Sequence, residues 1–244
     1  MFFGLLSIGP DDFSLQALKN EAAGRGWRWF GQDCALCGAA TRGTMVCGPC
    51  VADLPLLRDC CARCALPLAH GGTCGDCLRR PPAFDGAIAA FEYRFPIDRL
   101  VQRFKFGGDL AVGHWLGEQL AARVRGLATP DVIVAPPLSP RALRERGFNQ
   151  AVELAKPVGR ALGVPVEPAA LRKVRETAPQ RTLGRRSRQA NLRGAYVCEL
   201  DVRGARVAIV DDVITTGATV GNAAEAIRRA GAASVHAWAA ARAP

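Results

Sequence analysis

The sequence predicts an α/β protein: a parallel sheet flanked by helices, preceded by a small cysteine-rich segment. Three observations predict it. From Pro81 onward, short apolar and β-branched runs alternate with helical patterns, the order that builds a parallel sheet covered on both faces. Between Cys34 and Cys77 lie nine of the ten cysteines, mostly in C-x-x-C pairs. Residues 206–220 read RVAIVDDVITTGATV, an apolar strand that runs into two carboxylates, a Thr/Gly loop and a helix start.

A chain of 244 residues has room for one or two domains with a buried core. Hydrophobic residues make up 49% and charged residues 22%, which excludes a disordered polyelectrolyte. No apolar run approaches the ~18 residues of a membrane helix, so no membrane insertion is expected. The opening MFFGLLSI has no basic flank and soon meets Asp11 and Asp12, unlike a secretory signal. With cysteines spaced as metal ligands rather than as a disulfide framework, a cytoplasmic protein is expected.

Three segments follow from this. Residues 1–30 form an N-terminal extension with a weak helical candidate at 13–23 and an aromatic cluster, Trp27, Trp29 and Phe30. Residues 31–80 are the cysteine-rich segment, built of turns and short ribbons. Residues 81–244 form the sheet domain, with Pro81-Pro82 as the boundary. Within it the pattern predicts strands at 87–93, 131–135, 206–210 and 233–240. Helices are predicted at 98–106, 141–162 and 218–230, the second interrupted at Pro157 and the third stopped by Gly231.

The cysteines fall into two equal modules. Cys34, Cys37, Cys47 and Cys50 read C-x₂-C-x₉-C-x₂-C, and Cys61, Cys64, Cys74 and Cys77 repeat that spacing 27 residues later. Such knuckle pairs gather four thiolates around Zn²⁺ with ~2.3 Å Zn–S bonds. A full Cys₄ shell leaves no open position, so two structural zincs are expected. Sequential and crossed pairing both satisfy the spacing. Cys60 breaks the repeat, His70 meets a shell already filled, and Cys198 reads as a buried apolar residue. Trp27 and Trp29 are expected to pack on the ribbon, with stacking on bases as the alternative.

The 206–220 segment suits a ribose 5-phosphate. Asp211 and Asp212 stand at the carboxyl end of a strand, where α/β sheets bind ligands, and carboxylate oxygens accept from ribose hydroxyls. Thr215, Thr216 and Thr219 offer hydroxyls, Gly217 allows close backbone approach, and the next helix presents free N–H groups. Each part alone also reads as ordinary turn or cap chemistry. The order of the parts is what points to phosphate.

Positive charge concentrates nearby. Of the net +10, residues 141–206 carry fifteen Lys/Arg against six Asp/Glu, an excess of nine. The turn after strand 131–135 is followed by Arg141, Arg144 and Arg146, a set that suits a diphosphate or simply faces solvent. Residues 176–196 are basic and lack apolar periodicity. They read as a mobile loop that could serve as a lid, as a nucleic-acid contact or as neither.

The strand, acidic pair and T-x-G-x-T-like loop resemble the type I phosphoribosyltransferases. The resemblance implies a parallel sheet with a flexible hood, phosphoribosyl pyrophosphate as ligand, and Mg²⁺ held largely by that ligand's own oxygens. By this match Asp211 and Asp212 hold the ribose. Val213, Ile214, Thr215, Thr216, Gly217, Ala218 and Thr219 cradle the 5-phosphate. The turn of Pro137, Leu138, Ser139 and Arg141 matches the pyrophosphate loop, and Lys105 joins Arg141 as a diphosphate contact. An amidophosphoribosyltransferase is not expected, because its glutaminase domain with an N-terminal cysteine has no counterpart ahead of this motif.

RFKFGGD (103–109), RERGFNQA (144–151), PQRTL…RR…NLRGA (179–195) and VDDVITTGAT (210–219) together resemble the ComF family, associated with DNA uptake during competence. The similarity runs from about residue 33 to 240. It implies a double zinc ribbon ahead of a phosphoribosyltransferase that acts on an unidentified acceptor. Its alternative is a non-catalytic phosphoribosyl-binding module that contacts single-stranded DNA or protein partners of the competence machinery.

Overall fold

From Gln32 the chain forms an antiparallel ribbon of β1 (Gln32–Asp33) and β2 (Ala40–Thr41), then a short helix, α1 (Gly48–Ala52). Such short elements are expected where Gly and Pro punctuate the chain and no apolar period exists. The computed structural model describes residues 32–174 and 194–244. The helical candidate at 13–23, Trp27, Trp29 and Phe30, and nearly all of the basic segment 176–196 lie outside the described residues.

The chain divides into two compact units, 1–53 and 54–244. The division falls between the two cysteine modules rather than at Pro81-Pro82. Packing explains it. Leu57, Ala65 and Phe84 are buried in the same cluster as Val207 and Ile209 of the sheet, with Cys60 and Cys64 against it.

In the second unit α2 (Gly75–Arg79) closes the second cysteine module. There follow β3 (Gly86–Glu92), α3 (Ile97–Gly107), α4 (Leu110–Val124), β4 (Val132–Val134), α5 (Pro140–Arg146) and α6 (Gln150–Leu162). The chain continues through β5 (Val166–Glu167), β6 (Leu171–Lys173), β7 (Tyr196–Cys198), β8 (Arg206–Ile214), α7 (Ala218–Arg229) and β9 (Ser234–Arg242). Five strands form one parallel sheet in the order β3-β9-β8-β4-β5. β6 and β7 form a separate antiparallel pair, with Lys173 opposite Tyr196.

The central strands are buried on both faces, as a helix-covered parallel sheet requires. Val207 and Ile209 share a cluster with Ala223 and Ile227 of α7. On β3, Phe91 stacks on Trp115 of α4 with ring centroids 6.1 Å apart. α3 buries Ile97, Leu100, Val101 and Phe104, an i, i+3, i+4, i+7 stripe, and stops at left-handed Gly108. No helix among the described residues is long and apolar enough to cross a membrane.

Two features differ from expectation. The helix predicted over 141–162 is broken at Gly147, left-handed at φ +78°, and restarts where the Asn149 side chain accepts from the Ala151 amide at 3.0 Å. Pro157 does not interrupt it: α6 runs through the ring, which is buried against α4. A Cβ on Gly117 of α4 would lie 2.3 Å from the Pro157 ring, so glycine makes the room the proline needs. α4 itself has no counterpart in the sequence reading. Nine of its fifteen residues are buried, and its open side mixes Leu110 and Ala111 with His114 and Glu118 while Gln119 is buried, so polar and apolar residues do not separate by face.

Candidate functional site at the carboxyl edge of the sheet

β8 runs four residues past the apolar run RVAIV, so Asp211 and Asp212 are strand residues at the carboxyl edge. Neighbouring strand residues point to opposite faces. Asp211 therefore shares the face of Val207 and Ile209, and Asp212 the face of Ala208 and Val210. Lys105 reaches Asp212 from the last turn of α3, with Nζ 2.8 Å from Oδ1. Asp212 is only 7% exposed. Its amide donates to Asp211 Oδ1 at 2.9 Å, and the Val213 amide donates to Asp212 Oδ1 at 2.6 Å.

Two carboxylates thus share one lysine. Burial, and then the charge of Asp212, push the Asp211 carboxyl up to about 7, and Lys105 only partly offsets them. On the other side stands Tyr196 of β7, buried, whose phenol is pushed up to about 12 by burial and by the Asp211 charge. Asp211 is partly buried and has no ion pair among the described residues, so its oxygens can accept from hydroxyl donors.

The 213–219 loop leads into α7. Val213 and Ile214 are buried, Thr215 is exposed, and Thr216, Gly217, Ala218 and Thr219 are half-buried. Gly217 caps α7 in the left-handed conformation, φ +75°, where a side chain would strain the backbone. The cap residue offers no side-chain acceptor, and the Thr216 hydroxyl takes only the Ala218 amide, at 3.3 Å. The other first-turn amides and the positive helix end face a shallow concavity that runs from Asp211 to Val220.

The turn after β4, expected from the sequence to meet a diphosphate, leaves the sheet next to this edge, because Val134 of β4 pairs with Ile209 of β8. Pro137, Leu138 and Ser139 are half-buried there. The Asn149 side chain donates through Nδ2 to the Pro136 carbonyl at 3.0 Å, and Ser139 Oγ accepts from the Ala142 amide at 3.2 Å. Arg141 is exposed and bonds Glu145 at 2.7 Å, on the solvated face of α5. Arg146 lies over the Phe106 ring, 5.5 Å from its centroid. Of the two cations assigned to the diphosphate, the structure brings Lys105 to the acid pair and leaves Arg141 with Glu145.

Each cysteine module gathers its own four sulfurs. In each module, Cys34 to Cys50 and Cys61 to Cys77, all four lie within 4.8 Å of one another, and the pairing is sequential. The ten cysteines are free. The Cys37–Cys47 and Cys64–Cys74 sulfurs are each 3.7 Å apart. A zinc tetrahedron with ~2.3 Å bonds has sulfur–sulfur edges of about 3.8 Å, so both sites fit structural zinc. Burial pushes the Cys34 and Cys61 thiols up, but backbone amides, first those of Cys47 and Cys74, outweigh it and hold them at about 6 and about 7. Cys60 belongs to neither group, and Cys198 bonds the Leu200 carbonyl at 3.5 Å.

Tyr196 and Arg242 escaped the sequence reading. Arg242 ends β9 and is 3% exposed. Its guanidinium donates to the carbonyls of Ile214 at 3.1 Å, Thr215 at 2.6 Å and Cys64 at 2.9 Å, and to that of Ala243. The signal was a single charge closing the apolar run HAWAAAR.

A parallel sheet with this carboxyl edge, in a chain that also carries two tetracysteine modules, defines a phosphoribosyltransferase-type domain with a zinc-ribbon segment. The double zinc ribbon domain matches residues 28–78, and the phosphoribosyl transferase domain matches residues 144–244. The DNA utilization protein YhgH of Salmonella typhimurium is 37% identical over 79% of this chain and 88% of its own length. Competence protein F of Haemophilus influenzae is 33% identical over 75% of this chain and 84% of its own. A glutamine phosphoribosylpyrophosphate amidotransferase structure from B. subtilis covers 57% of this chain and 30% of its own, at 22% identity and TM-score 0.40. The chain belongs to the ComF family.

Proposed function

We propose that this protein binds phosphoribosyl pyrophosphate with Mg²⁺ and transfers its phosphoribosyl group to an acceptor. The observation that carries this reading is the Asp211–Asp212 pair, one lysine short of neutral, beside an α7 N-terminus whose cap residue has no side chain to fill it. Asp211 and Asp212 accept from the two ribose hydroxyls. The backbone and hydroxyls from Val213 to Thr219 hold the 5-phosphate. Lys105 and the turn of Pro137, Leu138 and Ser139 hold the diphosphate, and Arg141 joins them only by leaving Glu145.

In the reaction the bond from ribose C1 to the diphosphate breaks and a bond from C1 to the acceptor forms. The chain's cations hold the charge that collects on the departing diphosphate. Asp211 and Asp212 position the ribose and take no proton. The uncompensated Asp211 fits a cation arriving with the ligand, and Mg²⁺ bound to the substrate's oxygens supplies further charge neutralisation. Calorimetric titration with phosphoribosyl pyrophosphate and Mg²⁺, followed by a pyrophosphate-release screen over candidate acceptors, tests both parts. Binding without release by any acceptor leaves a ligand-binding module; no binding overturns the reading.

The excess of nine basic residues over 141–206 favours a second reading, contact with single-stranded DNA. It agrees with the names of the relatives, a DNA utilization protein and a competence protein. Such binding by charge is expected to weaken with salt at a slope of about 0.7 per phosphate contacted. Fluorescence anisotropy with a labelled oligonucleotide over a salt series measures the slope. Competition by phosphoribosyl pyrophosphate would place the strand on the same cations. No binding at low salt removes DNA from the account.

A further inference from the structure

The two cysteine modules are equal in spacing and unequal in surroundings. The first belongs to the unit that ends at Asp53, and the second to the unit that contains the sheet. In the second, Cys64 has two attachments. Its sulfur joins the tetracysteine group, and its carbonyl accepts from Arg242 Nε at 2.9 Å. The same guanidinium donates through Nη1 to Ile214 and Thr215, the carbonyls that open the 213–219 loop. A groove of about 1320 Å³ separates the knuckle from the loop, with Cys64, Cys74 and Cys77 on one wall, Thr216 and Gly217 on the other, and Arg242 in its lining.

We propose that Arg242 is a positioning residue that makes the geometry of the 213–219 loop depend on metal in the second tetracysteine module, and not in the first. The guanidinium is planar, so its donors have fixed relative directions. With Cys64 O and Thr215 O both in place, it sets the carbonyls at the start of the loop. Every bond given above is to a carbonyl, and no described carboxylate pairs with it, so its charge stays beside the loop. Loss of the metal removes the tie between Cys64 and the cluster of Cys61, Cys74 and Cys77, which has only Leu66 and Leu68 beside it, while Cys60, Cys64 and Ala65 keep their packing on the sheet cluster. Once Cys64 moves, a buried Nε–H loses its acceptor, an arrangement that native structures avoid. The guanidinium then shifts toward another partner and releases the loop. By linkage, a ligand on the loop tightens metal binding in the second module by the same factor.

The ligand arm of the test rests on the phosphoribosyl reading, and the exchange arm does not. The test uses the full chain in four variants: Cys47→Ser/Cys50→Ser, Cys74→Ser/Cys77→Ser, Arg242→Gln and Arg242→Lys. For each, one measures zinc content, amide hydrogen exchange over 213–219 without ligand, and affinity for phosphoribosyl pyrophosphate with Mg²⁺. The first variant is expected to lose one zinc and leave exchange and affinity unchanged. The second is expected to lose one zinc, speed exchange in the loop and weaken binding about tenfold, a typical size for coupled sites. Arg242→Gln should keep both zincs, release one faster to a chromogenic chelator, and repeat the loop and affinity changes. Arg242→Lys, which keeps the charge without the fork, should speed exchange as Arg242→Gln does.

Equal behaviour of the two cysteine variants, or loop exchange unmoved in both Arg242 variants, overturns the proposal. If the second cysteine variant fails to fold, the arginine variants decide. If wild-type protein binds no phosphoribosyl pyrophosphate, the functional reading fails, while the exchange results still decide the coupling.

Discussion

Asp211→Asn/Asp212→Asn is expected to bind phosphoribosyl pyrophosphate about 100-fold more weakly than wild type, and Asp211→Asn alone to be more stable than wild type when empty. The first effect follows from two hydrogen bonds to charged acceptors, each contributing about 1.5–3 kcal/mol, where ~1.4 kcal/mol is tenfold in affinity. The second follows from the acid pair sharing one lysine. Burial, and then Asp212, raise the Asp211 carboxyl to about 7 in the folded protein, whereas the unfolded chain ionises it near 4. Between these values the folded state holds the extra proton, so this group lowers stability as pH rises through the window, and the loss is complete above about 7.

Asparagine removes that charge and keeps an oxygen for the Asp212 amide, which donates to it at 2.9 Å. A gain on the order of 1 kcal/mol is expected at pH 8 and none at pH 4, after discounting the full shift for solvent relaxation around a partly buried group. Calorimetric titration and thermal melts at the two pH values check both halves. Unchanged affinity in the double variant would remove the acid pair from the ribose site. Equal melting of wild type and Asp211→Asn at pH 8 would show that Asp211 carries no such burden.

The second large effect concerns zinc. Purified without chelator, the protein is expected to carry two zinc ions per chain, and their removal to unfold both cysteine modules. The second module's own core is Cys61, Cys74 and Cys77 with Leu66 and Leu68 against them, too little apolar surface to hold a fold. Structural zinc contributes on the order of 10 kcal/mol to small domains of this kind, far more than these leucines supply. Elemental analysis counts the metal, and circular dichroism before and after chelation reads the structure. Near-zero zinc together with disulfides by mass spectrometry would contradict the assignment.

How much of this was legible depended on locality. Each tetracysteine module lies within seventeen residues of chain, so spacing alone located it, and the structure added that the pairing is sequential. The strand, acids, loop and helix of residues 206–229 are contiguous, so their order could be read directly. Contacts between distant segments could not. The bond from Arg242 to Cys64 spans 178 positions, and nothing in either local sequence points to the other. Lys105 was chosen for a diphosphate and stands against Asp212, because only the fold brings α3 to that edge. α4 was missed for another reason: Leu110 and Ala111 are exposed and Gln119 is buried, so its apolar residues do not mark its buried face. The 15 residues of α4 include Trp115, which stacks on Phe91 of β3, and Gly117, which makes room for Pro157 of α6.

The central claim concerns where a phosphorylated ribose sits. A crystal structure of the full chain with phosphoribosyl pyrophosphate and Mg²⁺ tests it most directly. The account predicts ribose hydroxyls within hydrogen-bond distance of Asp211 and Asp212, the 5-phosphate on the amides between Thr215 and Thr219, and the diphosphate toward Lys105 and Ser139. A ligand bound elsewhere, with Lys105 still on Asp212 and the loop empty, would contradict it.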